Sequence, residues 1–136
     1  MPDSRSERRA QPVNYFEVYD RTDGRFMGKL YDINTGGLRL SSENEFRPYV
    51  LYHFRLRLPQ PIRGEREVEF DAICKWTMEY KTHLLAGTYT AGFQISYLAF
   101  EHRELIQTMI RSPWFRDWRE APDYETIRRE TDYPVV

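Results

Sequence analysis

The sequence predicts an all-β domain that ends in one helix. Three observations support this prediction: six short segments alternate apolar and polar residues, turn-forming residues separate them, and apolar residues recur at helical spacing only after the sixth segment. Short strands joined by turns, with no helix between them, are typical of antiparallel barrels and sandwiches. We therefore expect six antiparallel strands arranged as a barrel or sandwich, followed by a helix.

Each strand is assigned from a period of two in its apolar residues. In chain order, the predicted strands lie at residues 15–19, 25–31, 38–40, 52–58, 68–76 and 88–98. The alternation also predicts which side chains face the core. In the fifth strand Trp76 is expected on the same face as Cys74, and in the sixth strand Tyr97 is expected on the same face as Phe93.

The helix is predicted at residues 101–110, where apolar residues recur at helical spacing and Pro113 follows. The tail beyond the helix contains an aromatic cluster, formed by Trp114, Phe115 and Trp118. Exposure of these rings to water would cost about 25 cal/mol per Å² of apolar surface. We therefore expect them either to pack on the chain's own barrel, which is the simpler interpretation, or to contact a partner protein.

Length and polarity predict the domain organisation. The 136 residues suffice for one domain with a hydrophobic core. Residues 1–12 are polar, end in Pro12 and lack an apolar period, which predicts a flexible, arginine-containing leader. The expected organisation is a leader at 1–12, a barrel with its closing helix at 13–110, and a tail at 111–136.

Composition excludes several kinds of site. The formal net charge of −1 provides no general attraction to nucleic acid or anionic membrane, so we expect no DNA or RNA partner. The one cysteine excludes an internal disulfide and a multi-cysteine metal site, and Cys74 is expected to be a buried, inert thiol. The three histidines, His53, His83 and His102, are far apart in sequence. We therefore predict neither a metal site nor a catalytic dyad.

Membrane and enzyme signals are also missing from the sequence. It has no apolar run of about 18 residues and no apolar segment of a signal peptide, so we expect no membrane span and a cytoplasmic location. It lacks the patterns of a nucleophile elbow, a Walker loop and a zinc-binding H-E-x-x-H helix. We therefore expect a binding protein rather than an enzyme.

The most informative segment is a turn that starts at Asp32. Asp32 and Asn34 would project a carboxylate and an amide to one side, while Gly36 and Gly37 permit positive φ. Turn formation alone would explain Asp32, because Asp side chains bond to their own downstream backbone. Its carboxylate can also accept the N1–H and N2–H donors of a guanine.

Arginines precede this turn by the length of one hairpin. Arg5 and Arg9 lie four positions apart, and Arg8 is adjacent to Arg9. A guanidinium can bind a phosphate or a guanine edge with paired hydrogen bonds. A pair that starts at Arg8 or Arg9 would end at Pro12 or Val13, so we prefer Arg5 with Arg9. The arginines and the turn together suit a ligand that is anionic and carries guanine.

These two segments resemble the PilZ family of bacterial cyclic di-GMP receptors, whose motifs are R-x-x-x-R and [D/N]-x-S-x-x-G. Residues 5–9 (RSERR) correspond to the first motif, and residues 32–37 (DINTGG) correspond to the second, with Asn34 in place of the usual Ser. Farther along, residues 72–76 (AICKW) and 91–95 (AGFQI) look like the family's last two strands.

The resemblance implies a six-stranded antiparallel β-barrel that binds cyclic di-GMP and signals to a partner protein, in control of motility, adhesion or exopolysaccharide synthesis. It implies nucleotide contacts at Arg5, Arg8, Arg9, Asp32, Asn34, Gly37 and Trp76. Trp76 would stack on a guanine face, although core packing is the usual role of such a residue. We also expect the leader to be mobile without nucleotide and to become ordered on it.

Two alternatives remain open from the sequence. One is a degenerate PilZ-like adaptor that acts through protein contacts without nucleotide, favoured by Asn34 and by the ambiguous choice of arginines. The other is a barrel that binds single-stranded nucleic acid through exposed aromatic residues and arginines. The balanced charge argues against this second alternative.

Overall fold

The computed structural model of the chain describes residues 10–12, 16–80 and 88–116. These residues form eight strands and one helix. The elements are β1 (Gln11–Pro12), β2 (Glu17–Asp20), β3 (Phe26–Ile33), β4 (Gly37–Ser42), β5 (Leu51–Ile62), β6 (Glu65–Tyr80), β7 (Thr88–Tyr97), α1 (Phe100–Ile110) and β8 (Phe115–Arg116).

Six of these strands close into a barrel in the order β2–β3–β4–β7–β6–β5, and β5 pairs with β2 to complete the ring. Every pair in the barrel is antiparallel. The expected fold class is therefore confirmed, and the barrel is the form that the chain adopts. β5 continues through Pro59 and Pro61 instead of ending before them, since its register with β6 is interrupted between Arg57 and Ile62 and a proline there removes no ladder hydrogen bond.

Aromatic and aliphatic side chains fill the barrel. Phe54 and Phe70 lie opposite each other on β5 and β6, and both are fully buried. The ring of Phe93 contacts Phe54 and Phe46 edge-on, with centroid distances of 5.1 Å and 5.0 Å. Edge-on aromatic pairs add about 0.5–1.5 kcal/mol each beyond the area that they bury.

Helix α1 and Cys74 agree with the expectations from sequence. The helix contributes Leu105, Ile106 and Met109 to the core, which is the apolar spacing that predicted it. Cys74 is fully buried, and this burial raises the pKa of its thiol above the ordinary value. A thiol in this environment is a poor nucleophile.

Trp76 and Tyr97 do not face the core, contrary to the alternation of the sequence. The register between β6 and β7 shifts between Cys74 and Trp76, so that Trp76 lies on the outer face of the barrel, opposite Gly92. A second shift places Tyr97 opposite Asp71, and Tyr97 is 63% exposed. A β-bulge inserts one residue and moves the following side chains to the other face of the sheet.

The two ends of the described chain pair with each other. β1 and β8 form a two-stranded antiparallel sheet, in which Pro12 lies opposite Phe115. Residues 10–12 of the predicted leader therefore have pairing partners elsewhere in the chain, and the flexibility expected for the leader stays a prediction. Residues 1–9 of the leader lie outside the described residues.

Two aromatic residues of the tail pack on the chain's own barrel, as expected. Phe115 is 7% exposed, and its ring centroid lies 5.0 Å from that of Phe16, which is also buried. The ring of Trp114 approaches Phe16 edge-on at 6.2 Å. The third residue of the aromatic cluster, Trp118, lies outside the described residues.

Candidate functional site

The segment from Asp32 to Gly37 connects β3 to β4 in a tight turn. The backbone N–H of Asn34 donates to the carbonyl of Gly37 (2.9 Å), and Asn34 Oδ1 accepts the N–H groups of Gly36 (2.7 Å) and Gly37 (2.8 Å). The carbonyl of Gly36 accepts the N–H of Ile95 (2.9 Å), which ties the turn to β7. Asn34 is 3% exposed, so its side-chain oxygen is a structural part of the turn.

Gly36 and Gly37 permit positive φ, but the turn does not use it at either residue. The Asn34 side chain closes the turn by mimicking a backbone acceptor, and such an Asx turn does not require the left-handed region at these glycines. Positive φ occurs at other described glycines, namely Gly24 (77°), Gly28 (158°) and Gly64 (83°).

An arginine on the neighbouring strand holds Asp32. Asp32 lies opposite Arg39, whose Nε donates to Asp32 Oδ2 at 2.7 Å and whose Nη2 donates to the same oxygen. The guanidinium carbon of Arg39 also lies 4.6 Å from the centre of the Tyr31 ring. The Arg39 and Asp32 side chains are 9% and 3% exposed. Charge-assisted hydrogen bonds shielded from water fix the orientation of the carboxylate.

Asp32 begins a row of residues that crosses four strands of the barrel. Asp32 on β3 lies opposite Arg39 on β4, Arg39 lies opposite Gly92 on β7, and Gly92 lies opposite Trp76 on β6. The residues on either side of Arg39 and of Gly92 belong to the hydrophobic core. Because side chains alternate along a strand, these four residues face outward, and we call them the outer row.

The indole of Trp76 occupies the space above Gly92. A methyl group placed on Gly92 would overlap the Cε2 and Nε1 atoms of Trp76 and would lie 2.6 Å from its Cζ2. The indole remains partly exposed. The outer row therefore combines a carboxylate, a guanidinium and an aromatic ring. These groups can bind, respectively, purine edges, phosphates and purine faces.

The segment that follows the arginines is fixed beside the turn. The N–H of Ala10 donates to the carbonyl of Ile33 (2.9 Å), and the N–H of Ile33 donates to the carbonyl of Ala10 (3.1 Å). Ile33 lies between Asp32 and Asn34 in the chain. The arginines expected to contact nucleotide lie outside the described residues; they are Arg5, Arg8 and Arg9.

The structure places the other candidates in two groups. The first group lies in the turn or at its ends and comprises Asp32, Asn34 and Gly37. The remaining candidate, Trp76, lies in the outer row, which also contains Asp32. Sequence reasoning missed Arg39, although a hairpin that turns at residues 34–37 pairs it with Asp32. It also missed Gly92, which no local pattern reveals because the bulge before Trp76 determines its neighbour.

Other kinds of site are not found in the described part of the chain. Within residues 10–12, 16–80 and 88–116, no group of three or more His, Cys, Asp and Glu side chains could hold a metal ion. Over the same residues, no helix is long and apolar enough to cross a membrane.

A separate cluster of charges lies on β5, on β6 and at the start of the turn that follows β2. Asp71 Oδ1 accepts a hydrogen bond from Arg21 Nη2 (2.9 Å) and lies 2.7 Å from His53 Nδ1. Arg21 Nε also lies 3.4 Å from a carboxylate oxygen of Glu69. Burial acts to raise the pKa of Asp71, but the hydrogen bonds and charges of His53 and Arg21 outweigh it and hold that pKa below its ordinary value of 3.8. We assign this cluster to stability.

Asp71→Asn should lower the melting temperature at neutral pH and should have less effect in acid. Because the pKa of Asp71 is lower in the folded than in the unfolded chain, its stabilisation is complete above the ordinary value of 3.8 and is lost as the pH falls through the lower, folded value. The measurement is the melting temperature of the wild-type protein and of Asp71→Asn, at pH values from neutral to below the ordinary Asp pKa. A difference that stays constant over that range would contradict it.

Comparison with known proteins supports the fold. No family model and no curated protein sequence matches the chain. It is similar to the PilZ domain of YcgR from Escherichia coli, solved with c-di-GMP (TM-score 0.57, 18% identity, 91% of this chain and 93% of that one). It is also similar to the inhibitor of motility MotI/DgrA from Bacillus subtilis (TM-score 0.57, 17% identity, 76% of this chain and 49% of that one). A third similar structure is that of apo MrkH from K. pneumonia (TM-score 0.63, 16% identity, 76% of this chain and 48% of that one).

These similarities establish the fold of the chain. It is a PilZ-like domain, a closed six-stranded antiparallel barrel with one helix in the described residues. The chain spans about half the length of the MotI/DgrA and MrkH chains but nearly all of the isolated YcgR domain.

Proposed function

We propose that this protein is a receptor for cyclic di-GMP that signals to a partner protein and that it is not an enzyme. The pairing of Ala10 with Ile33 carries this proposal, because it sets the end of the arginine leader beside the turn at Asp32 and Asn34. The fold supports the same proposal, since the YcgR domain that shares it was solved with this nucleotide.

Chain connectivity supports a role for the leader arginines. Consecutive Cα atoms are about 3.8 Å apart, so Arg9 is one such step from Ala10. Ala10 itself pairs with Ile33 in the segment that forms the turn, so chain connectivity alone keeps Arg9 near the turn. Arg5 precedes Arg9 by four residues, or about 13 Å of extended chain, which lets the two arginines grip different parts of one nucleotide.

Asp32 would select guanine. Guanine presents N1–H and N2–H side by side, and a carboxylate has about four lone-pair sites, so it can accept from guanine in addition to the two hydrogen bonds that Asp32 Oδ2 accepts from Arg39. Adenine has one donor and one acceptor on the same edge, so it would leave a polar group unpaired, which costs affinity. Arg39 supports this role, because its hydrogen bonds to Asp32 Oδ2 orient the carboxylate.

The remaining contacts follow from the geometry of the turn and the outer row. We assign a phosphate contact to the NH₂ group of Asn34, because an amide can donate to a phosphate oxygen as a hydroxyl does, while its side-chain oxygen accepts hydrogen bonds within the turn. Gly37, without a side chain, would let the nucleotide approach the backbone. Trp76 would stack on a nucleobase, and Arg8 would add a phosphate contact.

Binding would change the surface that a partner meets. Ordering of residues 1–9 on the nucleotide costs conformational entropy, which charge-assisted hydrogen bonds and stacking would offset. The partner would recognise the surface formed by leader, nucleotide and barrel rim. The solved neighbours include an inhibitor of motility and a c-di-GMP-dependent transcription regulatory factor, and these are two kinds of output that such a receptor can have.

Arg9→Ala should weaken cyclic di-GMP binding at least about tenfold, because a hydrogen bond to a charged group contributes about 1.5–3 kcal/mol. Isothermal titration calorimetry measures the change. Arg66→Ala is the charge-matched control, since Arg66 is exposed on β6 and lies outside the proposed site. Unchanged affinity in Arg9→Ala would contradict the assignment of Arg9, and equal losses in both variants would show that only net charge matters.

A further inference from the structure

Gly92 lies where a side chain would separate two groups of the proposed site. Its neighbours in the outer row are Arg39 on β4 and Trp76 on β6. Ala91 and Phe93, on either side of it, are 0% and 2% exposed and belong to the core. A side chain at position 92 would therefore point outward, between Arg39 and Trp76. The indole of Trp76 fills that space instead.

This arrangement moves the indole towards Asp32. Neighbouring strands lie about 4.8 Å apart, so the backbones of Asp32 and Trp76, three strands apart in the outer row, are separated by about 14 Å along the sheet. Because the indole lies over Gly92, it is one strand closer to Asp32 than the Trp76 backbone is. The distance along the sheet between the indole and the Asp32 backbone is therefore about 10 Å. The indole then becomes the immediate neighbour of Arg39, and one dinucleotide can contact both the ring and the carboxylate.

We propose that Gly92 is a positioning residue of the nucleotide site. It does not touch the nucleotide; it lets the Trp76 indole lie against the sheet beside the Asp32–Arg39 pair and present its exposed part to a nucleobase. This inference rests on the proposed function and deepens it, because it explains how an aromatic ring on β6 serves a site whose carboxylate is on β3.

Gly92→Ala should displace the indole, because the added methyl overlaps two of its ring atoms. Loss of a base–aromatic stack lowers affinity by about 5- to 150-fold, and we expect a loss in that range for cyclic di-GMP, measured by isothermal titration calorimetry. Gly64→Ala is the matched control. Its φ of 83° strains an alanine, but the methyl meets no atom within 4 Å, so this variant should lose thermal stability without losing affinity.

A double-mutant cycle separates positioning from a general structural role. Trp76→Ala removes the ring, so Gly92→Ala should cause no further loss of affinity in that background if it acts through Trp76. Trp76→Ala also removes the overlap between the indole and the methyl group of the alanine at position 92. The affinities of Trp76→Ala and of the double variant can therefore be compared even if Gly92→Ala alone folds poorly. Equal losses in the presence and absence of Trp76 would overturn the proposal.

Fluorescence tests the ring placement without nucleotide. Trp114→Phe and Trp118→Phe leave Trp76 as the one remaining tryptophan of three. Gly92→Ala should then make Trp76 emission easier to quench with acrylamide, and unchanged quenching would overturn the proposal. Wild-type binding is measured first: no binding overturns the proposed function and this role with it, whereas normal wild-type affinity retained in Gly92→Ala overturns the role of Gly92 alone.

Discussion

A chain that ends at Ile110 should melt more than about 10 °C below the full-length protein. Such a chain lacks Phe115, which is 7% exposed and lies 5.0 Å from the Phe16 ring. Removal of a buried Phe side chain costs about 3–5 kcal/mol, and in a domain of this size each kcal/mol corresponds to roughly 3–4 °C. Thermal denaturation followed by circular dichroism measures the difference.

Point variants test whether Phe115 accounts for this loss. Phe115→Ala should reproduce most of it, whereas Phe100→Ala, at a site 68% exposed, should melt close to wild type. Because β8 pairs with β1, and Ala10 beside β1 pairs with Ile33, the truncation should also weaken nucleotide binding. A truncated chain that melts with the full-length protein would contradict the place of β8 in the core. If that stable chain also failed to bind, the tail would act at the site itself.

Asp32→Asn should abolish the preference for cyclic di-GMP over cyclic di-AMP. The amide keeps the shape of the side chain but replaces one acceptor oxygen with a donor, which opposes a guanine N–H. An unpaired buried donor costs about 1–3 kcal/mol, enough to remove most of the selectivity. Asparagine is a better substitution than alanine here, because its amide oxygen can still accept hydrogen bonds from the buried Arg39 guanidinium, whereas alanine would offer that charge no acceptor and would destabilise the fold further.

Asp71→Asn is the matched control for this prediction. Asp71 on β6 also binds an arginine, Arg21, but it lies in the separate charge cluster described above, outside the proposed site. The Asp71→Asn variant should be less stable than the wild-type protein but should keep the preference for cyclic di-GMP over cyclic di-AMP. If Asp32→Asn still preferred cyclic di-GMP, Asp32 would be a turn residue and an ion-pair partner without a role in base recognition.

The barrel could be predicted from the sequence because its strands bury one face. A period of two identifies such strands directly, and the predicted strands at 52–58 and 68–76 contain the buried core residues Phe54, Val68 and Phe70. The orientations of Trp76 and Tyr97 could not be predicted in this way. Both depend on register shifts between β6 and β7, and a bulge leaves no mark in the alternation until the partner strand is known.

The turn was predictable as a turn, but its partners were not. Asp32 and Asn34 were recognised because polar residues and glycines at this spacing form turns locally. The ion pair of Asp32 with Arg39 and the contact of Trp76 with Gly92 depend on strands distant in sequence. The pairing of Ala10 with Ile33 and of β1 with β8 joins segments that no periodic pattern connects.

Calorimetric titration of the wild-type chain with cyclic di-GMP, cyclic di-AMP and GTP tests the central claim most directly. We expect saturable binding of cyclic di-GMP, through the leader arginines, the Asp32 carboxylate and the Trp76 ring. Cyclic di-AMP and GTP should each bind at least about a hundredfold more weakly. Adenine would leave polar groups of the site unpaired, and GTP carries one guanine where cyclic di-GMP carries two. Equal affinity for the three nucleotides, or no binding of cyclic di-GMP, would contradict the account.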